Sequence, residues 1–208
     1  MRPTHLVISA FGPYAEKVEI DLSKLGRNGL YLIAGDTGAG KTTIFDAISY
    51  ALFGEASGEN RDEPKLFRCI TSSIDVPTFV ELTFEYDGKE YRIRRNPEYE
   101  RRALRGTGTA AEHASVKFYL PEADGRVGVN SKPIEGDQAV DTAVANLIGI
   151  DHKQFRQLAM IAQGDFMDVL LATTEERQKI FRNIFRTEKF DTFQELLKTR
   201  ADEARVFA

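Results

Sequence analysis

The sequence predicts an α/β fold, a phosphate-binding core with an added antiparallel β layer and a helix running out beyond it, on three observations. An apolar run at 30–34 leads into Gly35-Asp36-Thr37-Gly38-Ala39-Gly40-Lys41-Thr42, and apolar residues at helical spacing follow it. Val80, Leu82, Phe84 and Tyr86 alternate with Glu81, Thr83 and Glu85 ahead of an Asp87-Gly88 turn. The last third changes to helical periodicity, with Val140, Val144, Leu147 and Ile148 on one face.

Each element follows in order. Leu6-Val7-Ile8 and the alternating Val18, Ile20 and Leu22 read as two strands joined through a turn at Gly12-Pro13. Leu30-Tyr31-Leu32-Ile33-Ala34 has the length and pattern of a strand covered on both faces. Between 42 and 53, Ile44, Phe45, Ala47, Ile48, Ala51 and Leu52 recur as a helix that Gly54 stops. After the hairpin turn, Tyr91 and Ile93 alternate with arginines, and Val116, Phe118 and Leu120 add a strand to the same layer. A helix is expected over 137–148, closed by Gly149. Thr173 and Glu176 have capping-box spacing ahead of Ile180, Phe181, Ile184 and Phe185. A further amphipathic segment begins near Thr187 with Phe190, Phe193 and Leu197 and is still running at Ala208, which reads as a helix cut in mid-pattern.

Composition sets few limits. The chain has 208 residues, 42% of them hydrophobic and 29% charged, enough for one large domain or one domain with an insertion. No apolar run reaches the ~20 residues needed to cross a bilayer. The first five residues lead into a strand without a signal-peptide apolar region, and Cys69 is the single cysteine, which excludes an internal disulfide and a paired-cysteine metal motif. A cytoplasmic location is the expectation. The formal net charge of −4 neither suggests nor forbids nucleic acid.

The chemistry is concentrated at 35–43. Glycines let the loop wrap so that successive N–H groups point at phosphates, and the N-terminus of the following helix adds its positive end. Lys41 supplies a mobile charge for the β- and γ-phosphates, and the Thr42 hydroxyl is the expected Mg²⁺ ligand. What is missing is equally informative. No apolar strand ends in the aspartate that a self-sufficient P-loop ATPase needs, no guanine-reading motif occurs, and no cluster offers a two-metal nuclease centre. Catalysis therefore reads as incomplete within these residues. His5, His113 and His152 are scattered and read as structural or solvent-exposed.

Two further features have competing readings. Gln163 closes the apolar run Leu158-Ala159-Met160-Ile161-Ala162 ahead of Gly164; it either ligates Mg²⁺ or orients the attacking water, or is a loop glutamine before a turn. Arg92, Arg94, Arg95, Arg101, Arg102 and Arg105 crowd into fourteen residues. They are either a basic stripe for a phosphate backbone or the charged guard of an edge strand. Gly106-Thr107-Gly108-Thr109 reads as a flexible loop.

The run from Gly35 to Gly54, together with Phe11-Gly12-Pro13-Tyr14, Pro97-Glu98-Tyr99-Glu100-Arg101 and Gln163-Gly164-Asp165-Phe166, resembles the bacterial SbcC family in the family's own order. These are ABC-type ATPases related to the chromosome-maintenance (SMC) proteins, and they act in the SbcCD nuclease complex. The resemblance covers essentially the whole chain. It implies an N-terminal lobe of an ABC-type ATPase head over 1–186 and the root of an outgoing coiled coil over 187–208. It implies ATP and Mg²⁺ as cofactors, with 35–43 as the nucleotide loop, Lys41 catalytic and Gln163 the Q-loop glutamine. Thr42-Thr43 stand where many relatives have two serines, and Thr37 where many have asparagine, so the hydroxyls are kept.

The resemblance also implies partners. The C-terminal half of the same head would bring the signature and the acidic strand, two heads would close on ATP, and the nuclease subunit SbcD would dock at the coiled-coil root. Double-stranded DNA ends would be the substrate of the complex, in the cytoplasm and near the nucleoid. The implied role is ATP-driven DNA end processing in double-strand break repair. The rival readings are a split-head chromosome-organising ATPase without a nuclease partner, and a self-contained P-loop kinase. For the kinase only Arg177 and Arg182 resemble lid residues.

Overall fold

The computed structural model describes residues 1–26, 31–56, 67–103, 108–129, 131–152, 154–155, 173–174, 193–194 and 196–200. They fall into two units, Met1–His152 and Lys153–Ala208.

The first unit is built on a six-stranded, wholly antiparallel sheet. Its strands are β1 (Arg2–Ser9), β2 (Val18–Asp21), β3 (Phe79–Tyr86), β4 (Lys89–Asn96), β7 (Ser115–Tyr119) and β8 (Pro133–Glu135), in the order β2-β1-β3-β4-β7-β8. Strands β5 (Tyr99–Arg102) and β6 (Thr109–Glu112) form a separate two-stranded ribbon. Helix α1 (Lys41–Phe53) packs on β3 and β4, and helix α2 (Asp137–Ile148) on β7 and β8.

Register explains which face is covered. One row crosses all six strands as Ile20, Leu6, Leu82, Ile93, Phe118 and Ile134, and its four central members are fully buried. The neighbouring row is Ile8, Val80, Arg95 and Val116, also buried. The opposite face carries Glu81, Arg94, Lys117 and Glu135 in one row and Thr83, Arg92 and Tyr119 in the next. One face packs on helices and the other is polar, as period-two alternation dictates. The β3–β4 turn forms at Asp87-Gly88, where both residues have positive φ (50° and 71°) as a two-residue hairpin requires.

Helix α1 is buried on all sides over 46–52. Gly54 and Gly149 end the two helices, their N–H groups donating to the carbonyls of Tyr50 and Ala145. Arg95 ties the helices to the sheet: its guanidinium donates to Asp137 (3.2 Å) and Asp141 (2.8 Å) on α2 and to the Ala51 carbonyl of α1 (3.4 Å).

The structure departs from the sequence reading in three places. Residues 31–36 have no regular secondary structure, and Tyr31, Leu32 and Ile33 are 47%, 90% and 41% exposed, so the described part of the strand expected before the phosphate loop is not a strand. A strand needs a neighbour to take its N–H and C=O groups, and none of the described strands pairs with this run. Second, β1 and β2 lie in the same sheet as β3, β4 and β7, so the antiparallel strands expected as an added layer join the first two strands directly. Third, the Arg-rich segment is divided: Arg92, Arg94 and Arg95 lie on β4, Arg101 and Arg102 on the β5–β6 ribbon, and Thr109 opens β6.

In the second unit, residues 193–194 and 196–200 are helical, inside the segment expected to be a helix, and Phe193, Leu196 and Leu197 are exposed. The helix expected after Thr173 lies almost wholly outside the described residues.

Candidate nucleotide-binding site

The loop is exposed over 35–39 and ends at the half-buried Gly40, which caps α1 in the left-handed region (φ 85°, ψ 15°). Gly40 has no side chain to cap the helix, so the first N–H groups of α1 have no acceptor from the N-cap position. Ala39 N–H donates to the Asp36 carbonyl at 3.2 Å and tightens the turn. A Cβ at Gly38 would meet nothing within 4 Å, so the mouth of the loop is open.

Lys41 reaches back across the loop. Its ammonium donates to the carbonyls of Gly35 and Asp36, both at 2.6 Å. These acceptors hold the charge over the loop, where a phosphate would replace them. Thr42 is exposed on the first turn. Uncapped helix donors, an open glycine turn, an ammonium over the loop and an adjacent hydroxyl fit a Mg²⁺-bound polyphosphate. Thr43 is half-buried and lies toward the β1–β2 connection, where a Cβ on Gly12 would come within 2.7 Å of its methyl.

That connection is a support the sequence did not reveal as such. Phe11 and Tyr14 exchange backbone hydrogen bonds (3.0 and 3.1 Å), and Gly12 N–H donates to Phe67 O at 2.8 Å. The Phe11 ring is buried, stacked on Phe67 (5.3 Å) and tilted against Tyr50 of α1 (5.4 Å). The Tyr14 hydroxyl donates to the Gly40 carbonyl at 3.1 Å. Burial raises the Tyr14 phenol above its usual range, so it is protonated and a donor at neutral pH. The aromatic-Gly-Pro-aromatic pattern at 11–14 was the available signal; only the fold puts it under the loop.

The six arginines do not form one surface. Arg95 points to the helix side, 5% exposed, and is engaged with Asp137 and Asp141. Arg92 and Arg94 lie together on the polar face of the sheet. Arg94 covers the Phe79 ring at 3.6 Å and pairs with Glu81 at 3.5 Å. Arg92 lies over Tyr119 at 4.7 Å, has no carboxylate partner among the described residues, and keeps its Nε buried without an acceptor. Arg101 pairs with Glu112 (2.6 Å), and Arg102 holds both oxygens of Asp75 (2.6 and 2.9 Å). Arg105 and Gln163 lie outside the described residues.

The histidines pair with carboxylates: His5 with Glu19, His113 with Glu98, and His152 with Glu55 at 2.7 Å. No group of three or more metal-ligating side chains occurs among the described residues. No helix among them is long and apolar enough to cross a membrane.

A family model described as an AAA domain matches residues 5–207. A Vibrio cholerae protein, named as the C subunit of the SbcCD nuclease, is 40% identical over 97% of the chain. Proteins of the same name from Staphylococcus aureus strains MRSA252 and Newman are 40% identical over 95% and 99% of it. The chain spans 19% of the length of each of these relatives.

Proposed function

The chain belongs to the AAA domain family, and from that premise we propose that it is the nucleotide-binding N-terminal lobe of an SbcC-type ATPase head. The observation that carries this reading is the loop itself, with Lys41 held over Gly35 and Asp36 beside an uncapped helix. In this role residues 35–43 bind the phosphates of ATP, the Thr42 hydroxyl takes Mg²⁺, and Gln163 serves as the Q-loop residue. Mg²⁺ held there by Thr42 and Gln163 would supply charge neutralisation at the phosphate oxygens. Lys41 exchanges its two carbonyl acceptors for phosphate oxygens, and the glycine turn brings backbone donors to the same group.

The site is shared with sequence outside these residues. Leu32 and Ile33 support this: they are apolar, 90% and 41% exposed, and lie in none of the described strands, so a neighbour from the remainder of the head would cover them. By the same reading the lobe alone does not turn over ATP. Two heads would close on two nucleotides, and the helix beyond 187 would begin a coiled coil. A nuclease subunit of the SbcD kind would dock there, and the assembly would process double-stranded DNA ends in the cytoplasm, in the service of break repair. The relatives' name, which makes them a component of the SbcCD nuclease, supports the partner.

The test is ATP turnover by residues 1–208 alone and mixed with the remainder of the head, with Lys41→Ala as control. Turnover only in the mixture, lost in Lys41→Ala, is the expected result. Equal Lys41-dependent turnover by residues 1–208 alone would overturn the shared site.

A further inference from the structure

Tyr14 does more than fill space under the loop. A trans peptide is planar, with its C=O and N–H on opposite sides, and no described peptide is cis. Gly40 C=O and Lys41 N–H belong to one such plane. The Tyr14 hydroxyl holds the carbonyl at 3.1 Å, so the Lys41 N–H is turned away from Tyr14, out of the β1–β2 connection. A free glycine linkage in the left-handed region has several orientations of similar energy; the hydroxyl selects one.

The contact is close on every side. A Cβ on Gly40 would fall 2.8 Å from Pro13 Cγ and 3.0 Å from Tyr14 Cζ, so the loop rests directly on these two rings. The rings are themselves anchored: Phe11 is stacked into the core, and the Ser72 hydroxyl donates to the Ala15 carbonyl at 2.7 Å. The clamp is therefore attached to the sheet and not to the loop it orients.

We propose that Tyr14 is a positioning residue for phosphate binding, fixing the Gly40–Lys41 peptide so that its N–H is presented to the phosphate chain of a nucleotide. The proposal rests on the nucleotide-site reading above and adds to it a residue outside the glycine loop. Its chemistry is specific to phosphate, not to base or ribose, because the group it orients is a loop N–H.

The test is nucleotide binding by the full-length protein as wild type, Tyr14→Phe and Lys41→Ala. The probes are Mg²⁺·ATP and competing Mg²⁺·tripolyphosphate, at a temperature where circular dichroism shows all three folded. Tyr14→Phe keeps the ring and deletes the hydroxyl. It is expected to weaken both probes about three- to tenfold, the range of one hydrogen bond. Equal affinity of Tyr14→Phe and wild type overturns the clamp. A loss for ATP that spares tripolyphosphate also overturns it, assigning Tyr14 to the nucleoside. A lowered melting temperature with unchanged affinity overturns it as well, leaving a structural bond only. Wild-type binding that does not depend on Lys41 overturns the nucleotide-site reading, and the clamp with it.

Discussion

Arg95 and Asp141 meet at 2.8 Å between the sheet and α2, with the guanidinium 6% exposed and the carboxylate 48% exposed. The pair is thus asymmetric in solvation. Neutralising the carboxylates leaves a buried charge without a counter-charge; removing the arginine leaves two carboxylates in water. The variant Asp137→Asn with Asp141→Asn is expected to lose about 2–4 kcal/mol, and Arg95→Met, which refills the site with an apolar chain, about 1 kcal/mol or less. Urea unfolding compares them. A larger loss in Arg95→Met would contradict the burial argument.

Gly12 is tight against Thr43 and sits at φ 57°. Two penalties separate in a cycle. Gly12→Ala meets the Thr43 methyl and the backbone cost together, roughly 2–4 kcal/mol in sum. In a Thr43→Ser background the methyl is gone, and only the backbone cost of about 1–2 kcal/mol remains. Equal losses in both backgrounds would mean that the methyl clash carries no energy.

Asp75 and Arg102 predict a pH effect with a definite sign. The Arg102 hydrogen bonds, then its charge, hold the Asp75 carboxyl below its ordinary 3.8. A carboxyl with a depressed folded value contributes stability above its unfolded value and loses it as pH falls through the folded one. The contribution is therefore intact above about pH 4 and disappears in more acidic solution. A carbon-detected titration of Asp75 should give a value below 3.8 that returns to it in Arg102→Gln. An unchanged titration in Arg102→Gln would remove the pair.

On the reading that the assembled head binds DNA, Arg92 and Arg94 are the arginines of the cluster that share the open sheet face. Replacing both with glutamine should weaken binding to duplex DNA and reduce the slope of log K against log salt by about 0.9 for each phosphate no longer neutralised. Arg95→Met should leave the slope unchanged, since that side chain is buried. A slope unaltered by the Arg92 and Arg94 changes would remove these residues from any DNA surface.

Much was legible in one dimension. The alternation at 80–86 and the Asp87-Gly88 turn specify β3 and β4 because a strand's side chains change face at every residue. Helix α2 begins and ends where its periodicity and Gly149 place it. The run at 31–34 shows the limit of such reading, since its composition is that of a buried strand and its burial depends on a neighbour. Arg95 shows another: sequence spacing joins it to Arg92 and Arg94, while strand geometry sends it to the opposite face.

The loop proposed to hold phosphate, Gly35 to Thr43, is read from the sequence alone, because its spacing encodes a local turn that needs no distant partner. The support of that turn was decided only in three dimensions. Tyr14 lies 26 residues before Gly40, and their hydrogen bond exists because β1 and the Phe11 cluster bring the β1–β2 connection under the start of α1. The same holds for which arginines stay free. Pairing with Asp75, Glu81, Glu112, Asp137 and Asp141 offsets charges that look equivalent in sequence, and among the described arginines of the cluster it leaves Arg92 as the one without a carboxylate beside it.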